Sequence, residues 1–108
     1  MNKENKKLWI EALRSGKFEQ GIGALCKNNK YCCLGVLVKV FEEQNKLKFD
    51  SQVNSIGYFF FGGETTTPPK VVLDWVGITK EQLNLVMALN DNHECTFKSI
   101  ANVLTYMD

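Results

Sequence analysis

The chain has almost no excess charge, one arginine, one histidine and no long apolar run. Its 13 basic residues stand against 12 acidic ones, a formal net charge of +1. The long-range field is therefore weak, which disfavours a bulk binder of duplex nucleic acid or of an acidic membrane. No apolar stretch reaches the ~20 residues that a membrane helix requires. The polar start from Met1 to Lys7 leads straight into an amphipathic helix, which is not the pattern of a signal peptide or anchor. A cytoplasmic protein without a membrane partner is expected. The four cysteines, at 26, 32, 33 and 95, also lack the spacing of paired zinc ligands, even with His93 added. Reduced thiols behaving as small buried hydrophobes are expected, with no metal and no other cofactor.

The 108 residues are 44% hydrophobic and 11% aromatic, enough for one folding unit over residues 1–108 with its own core. Leu8, Trp9, Ala12 and Leu13 form one stripe of a surface helix over 3–14, capped by Asn2 and stopped by Ser15-Gly16. Residues 17–23 read as a glycine-punctuated loop. Asn28-Asn29 between Ala24-Leu25-Cys26 and Lys30-Tyr31-Cys32 predicts a short hairpin, because asparagine tolerates positive φ. The run from Cys32 to Phe41, continuing into Glu42-Glu43-Gln44, is apolar nearly all round and predicts a buried central helix with Glu42 and Glu43 at a solvated end. Gly35 inside it costs ~1 kcal/mol of helix propensity, so it is expected to admit another backbone at close range.

Residues 45–55 show no clear period and predict a loop with one edge strand. Ile56 to Phe61, Gly62-Gly63 and Glu64 to Thr67 predict a hairpin. A helix over 69–76 follows, with Thr67 as cap and Pro68 in its first turn. Thr79-Lys80-Glu81-Gln82 has capping-box spacing and starts a helix over 80–89, which Asn90-Asp91-Asn92-His93 breaks. Thr96 caps a last helix with Phe97, Ile100, Ala101 and Leu104 inward. The expected class is α+β: a small, mostly helical single domain with one or two short antiparallel hairpins.

Three blocks carry a resemblance. Trp9-x-x-Ala12-Leu13-Arg14-Ser15-Gly16-x-Phe18-x-Gln20-Gly21, then Cys32-Cys33-Leu34-Gly35-Val36-Leu37, then Leu89-Asn90-Asp91 with Phe97-x-x-Ile100-Ala101 resemble a family of small, uncharacterised proteins of tailed phages and prophages. Where that family often continues with Cys-Asp after the second block, this chain has Val38-Lys39. The resemblance implies a phage setting, hence a host cell cytoplasm, and an accessory role against host enzymes, regulators or defence. It implies no reaction.

Arg14 stands at a helix end beside Ser15, Gly16, Lys17, Gln20, Gly21 and Gly23. A guanidinium beside glycines suits a phosphate, because it offers paired hydrogen bonds while bare backbone amides approach the anion. The alternative is that Arg14 caps carbonyls or pairs with a carboxylate such as Asp91. The aromatic run Tyr58-Phe59-Phe60-Phe61 offers a stacking face for a base, or else a core or self-association face in a homodimer or higher homo-oligomer. Cys32 or Cys33 with His93 as base would make a thiol enzyme, although nothing in the sequence brings them together. A helix-turn-helix reader is disfavoured, since the last helix presents no arginine.

The reading best supported by sequence is a non-enzymatic protein that sequesters a small phosphorylated ligand, a nucleotide signal of host antiviral defence. Arg14 and Lys17 would meet phosphate, Gln20 and Asn90 would read polar edges, Tyr31 or Tyr58 would stack, and Ser15, Gly21 and Asp91 complete the expected ligand-binding set. The rivals are a protein-binding inhibitor of a host enzyme or receptor and a cysteine-dependent enzyme.

Overall fold

The computed structural model describes residues 1–49, 51–53, 59–61, 66–92 and 94–108, with the backbone alone for 51–53 and 59–61. The architecture is α+β and mostly helical. Along the described residues run α1 (Lys3–Arg14), β1 (Glu19–Gln20), β2 (Cys26–Lys27), β3 (Lys30–Tyr31), α2 (Cys33–Asn45), β4 (Ser51–Val53), β5 (Phe59–Phe61), α3 (Lys70–Val76), α4 (Lys80–Asp91) and α5 (Phe97–Thr105).

Helix α2 is the centre of the packing. Every residue from Cys33 to Val38, and again from Val40 to Glu42, is buried, so its apolar circumference is covered by α1, α3, α4 and the small sheet. Gly35 admits the neighbouring backbone: a Cβ there would stand 1.9 Å from the Leu25 carbonyl oxygen. On α1 the buried stripe is Trp9, Ile10 and Leu13, with Leu8 and Ala12 half-buried beside it. The Trp9 indole N–H donates to the Cys33 carbonyl at 2.9 Å, which satisfies its one polar atom inside the core. Helix α5 runs antiparallel to α1, the Lys6 ammonium meeting the Met107 carbonyl at one end and Arg14 meeting Asn102 at the other. It buries Phe97, Ile100, Ala101 and Leu104, the four positions that its sequence periodicity picks out.

Side chains start most helices where the spacing says they should. Asn2 accepts from the Asn5 amide at 2.9 Å, Thr96 from the Ser99 amide at 3.2 Å, and Thr79 and Gln82 form both halves of a capping box. Helix α3 differs, because its cap is Pro69 and not Thr67, and no side chain bonds to its first turn. Its last turn docks on α1 instead, with the Asn2 amide donating to the Val76 carbonyl at 2.8 Å.

The first sheet has the order β1-β3-β2. The expected hairpin is β2–β3, turning through Asn28 at φ 52° and Asn29 at φ 64°. The loop expected at 17–23 instead supplies β1, which runs parallel to β3 with Gln20 opposite Tyr31. Strand β5 pairs antiparallel with β4, Gln52 opposite Phe60, so its partner precedes it in the chain. Thr66 and Thr67, the end of the anticipated return strand, lie in a bend, and Ile56 to Tyr58, the Gly62-Gly63 turn, Glu64 and Thr65 lie outside the described residues. Helix α4 continues two residues beyond the expected end, and this carries Asn90 into the interior.

Candidate functional site

Asn90, in the last turn of α4, is 1% exposed. Its Oδ1 accepts from the Cys33 amide at 3.0 Å and from Gln20 Nε2 at 3.4 Å, and its Nδ2 donates to the Gly21 carbonyl at 2.9 Å. Gln20 Nε2 also donates to the Cys95 carbonyl at 2.9 Å, while its Oε1 accepts from the Phe97 amide at 2.9 Å. Backbone donors and acceptors on opposite sides fix which way each amide points. The two residues lash together the strand after α1, the start of α2, the end of α4 and the start of α5. The polar edges that a ligand would need are thus engaged by the chain itself.

Beside this knot, at the N-terminus of α2, lies a cavity of about 40 Å³ bordered by Gly23, Cys32, Cys33, Asn90 and Asp91. At ~10–15 Å³ per water it has room for only a few solvent molecules, far below the ~300 Å³ at which ligand clefts begin. Burial pushes the Cys32 thiol up; the facing Gly35 and Leu34 amides oppose that, and Asp91 adds to it. The Cys33 thiol is pushed well up, by burial first and then by Cys32. Both thiols are protonated at neutral pH, the wrong state for a nucleophile. His93, the base a thiol mechanism would call on, lies outside the described residues. Among the described residues no group of three or more His, Cys, Asp or Glu is placed to hold a metal ion, and no helix is long and apolar enough to cross a membrane.

A larger groove runs along the other side of α2. One compartment of about 250 Å³ is bordered by Ser15, Lys17, Phe18, Glu43 and the Glu11–Ala12 face of α1. The next, about 560 Å³, is bordered by Phe18, Lys39, Glu42, Glu43, Lys46 and Lys48. Phe18 and Glu43 border both, so the two compartments adjoin. Local structure explains who faces it. Ser15 Oγ donates to the Ala12 carbonyl at 2.6 Å and accepts from the Lys17 amide at 3.2 Å, and with Gly16 at φ 76° this turn brings Lys17 to the groove. At the far end Lys46 adopts a left-handed conformation, φ 50° and ψ 43°, which folds Leu47 to Phe49 back along α2. The Phe49 amide then donates to Glu42 Oε2 at 2.9 Å, and its ring stacks on Phe41 with centroids 5.7 Å apart. Glu42, expected on a solvated helix end, is 8% exposed because this returning segment covers it; Glu43 is exposed.

The residues singled out from sequence are dispersed. Ser15 and Lys17 reach the groove; Gln20, Gly21 and Asn90 meet in the knot, with Asp91 beside it at the small cavity. Arg14 is exposed, its Nη2 donating to Asn102 Oδ1 at 2.8 Å and Thr105 Oγ1 at 3.4 Å on α5. At about 100° per residue, Leu8, Glu11, Ala12 and Ser15 share one arc of α1 and Arg14 lies about 110° from its middle, so the guanidinium serves the α5 side and not the groove. Among the described residues it pairs with no carboxylate. Tyr31 packs edge-on against Phe18, centroids 5.3 Å apart at 79°. Burial, then the nearby Cys26 and Glu42, push its hydroxyl up to about 12. Tyr58 lies outside the described residues. Sequence reasoning assigned no role to Phe18, Lys39, Lys46 or Lys48; the one visible signal was Lys39, the lone charge in an apolar run.

Neither the curated proteins nor the solved structures contain a match to this chain. Over residues 1–107 it matches the family described as a domain of unknown function, DUF8296, and it belongs to that family.

Proposed function

We propose that the protein is a non-enzymatic binder that sequesters a small phosphorylated ligand of the nucleotide class in the groove between α1, α2 and the segment after α2. One observation carries this: a half-buried aromatic ring, Phe18, is shared by two adjoining compartments whose walls bring lysines from three separate segments, Lys17, Lys39 and the Lys46–Lys48 pair, to stand beside Glu11, Glu42 and Glu43. Ammonium groups on flexible stems suit phosphate as point charges, and an aromatic edge or face gives a base an apolar contact. The larger compartment falls in the ~300–1,000 Å³ range of small-molecule sites. Protonated, buried thiols argue for binding without covalent chemistry. The resemblance to small phage proteins supplies the setting, an accessory factor in a host cytoplasm that lowers the concentration of a nucleotide signal used in antiviral defence.

Calorimetry and thermal-shift titration with inorganic phosphate, ATP, ADP and cyclic dinucleotides test this. Saturable binding of at least one nucleotide, weakening as ionic strength rises, is the expected result. Silence across the panel would sink it.

A further inference from the structure

We infer that the groove reads the exocyclic amino group of an adenine base through Glu42; this rests on the groove being the nucleotide site. Glu42 is 8% exposed, and its two oxygens are treated differently. Oε2 is taken by the Phe49 amide at 2.9 Å. Oε1 is buried and accepts no hydrogen bond among the described residues. Lys39 Nζ lies 3.2 Å from it as an ion pair, outside hydrogen-bonding geometry. A buried carboxylate oxygen without a donor is costly and rare in folded proteins. The Phe49 turn needs only one acceptor, so it explains Oε2; Oε1 has the Lys39 ion pair and no hydrogen bond among the described residues.

The side chain borders the same compartment as Phe18, Lys46 and Lys48. The Lys39 side chain, 35% exposed, borders the same compartment on a long flexible stem, and a ligand donor reaches Oε1 only when that stem moves aside. An acceptor-only atom selects a ligand donor. A ribose diol or the N1–H and amino pair of guanine would engage both oxygens of a carboxylate, and Glu42 has one to give. A single amino group matches that count, and the Phe18 ring in the same compartment favours the larger purine surface over cytosine. Adenine meets both conditions, with its phosphates directed toward the lysines.

The test compares ATP with purine riboside triphosphate, which lacks only the 6-amino group, by calorimetry on the full chain. Wild type is expected to favour ATP by roughly tenfold or more, the effect of one hydrogen bond to a charged acceptor. In Glu42→Gln the amide oxygen can keep the Phe49 amide while its NH2 faces the groove, so the ratio should fall to about one with phosphate-dependent binding retained. Circular dichroism checks that the variant folds; if it does not, the wild-type ratio decides alone. Equal wild-type affinity for the two triphosphates overturns the role of Glu42 and leaves the nucleotide groove standing. No binding of either removes the groove itself, and this inference with it.

Discussion

At the scale of single residues, Asn90 shows why a side chain that reads as ligand-facing is put to internal use. A buried amide must find partners for a donor and an acceptor, and Asn90 finds them on Gly21 and Cys33, 69 and 57 residues away in sequence. Asn90→Ala leaves the buried Cys33 N–H and the half-buried Gly21 C=O without this partner. At ~1–3 kcal/mol for each orphaned group, partly relieved by water entering the adjoining cavity, the loss should be about 3 kcal/mol. Urea unfolding would show it as a lower midpoint at unchanged slope. Gln20→Ala should cost less, and the double variant less than the sum, because the two amides touch. A loss below about 1 kcal/mol would mean that the knot is dispensable. Sequence could mark Gln20 and Asn90 as members of two of the blocks that carry the family resemblance but not as partners, since their meeting depends on how four segments fold together.

Among the secondary-structure elements, the helices and the β2–β3 hairpin were legible, and the partners of β1 and β5 were not. Helix starts depend on side chains within three residues, and Asn2, Thr79 and Thr96 cap as their spacing indicates. Strand β1 is two residues long and pairs in parallel with a strand eleven residues on, so no periodicity marks it. Strand β5 pairs with the earlier β4, a partner that the local pattern around it does not single out. Gly35 is the intermediate case, where a local anomaly predicted a non-local contact. Because the obstruction at 1.9 Å is the Leu25 carbonyl and not a flexible side-chain end, Gly35→Ala must displace α2 from the β2 segment or break both. Any gain from helix propensity, ~1 kcal/mol, is smaller than an overpacking cost of ~3 kcal/mol or more. Thermal denaturation should register a drop of at least about 10 °C for a domain of this size, and a melting temperature equal to or above wild type would contradict the packing of α2 on Leu25.

For the molecule as a whole, the sequence concentrated attention on Arg14 as the lone guanidinium, whereas the fold distributes cations by which face of α2 each segment reaches. Phe18, Lys39, Glu42, Lys46 and Lys48 come together only because Lys46 takes a left-handed conformation and turns the chain back along α2, a bend no glycine announced. Net charge was no guide either, since a groove bearing several lysines sits in a chain of formal charge +1. The two placements of the ligand make opposite forecasts. With phosphates at the groove, Lys46→Glu with Lys48→Glu replaces two attractive charges by two repulsive ones, and ATP affinity should fall by at least about tenfold, at ~1.4 kcal/mol per decade. Arg14→Ala, which removes contacts to Asn102 and Thr105 on α5, should leave that affinity within about twofold while lowering stability by ~1 kcal/mol at most, as befits an exposed hydrogen bond. Calorimetric titration of the three proteins at one salt concentration separates the cases. If Arg14→Ala abolishes binding and the double lysine variant does not, the ligand sits on the α1–α5 face, and the groove beside Phe18 has another occupant.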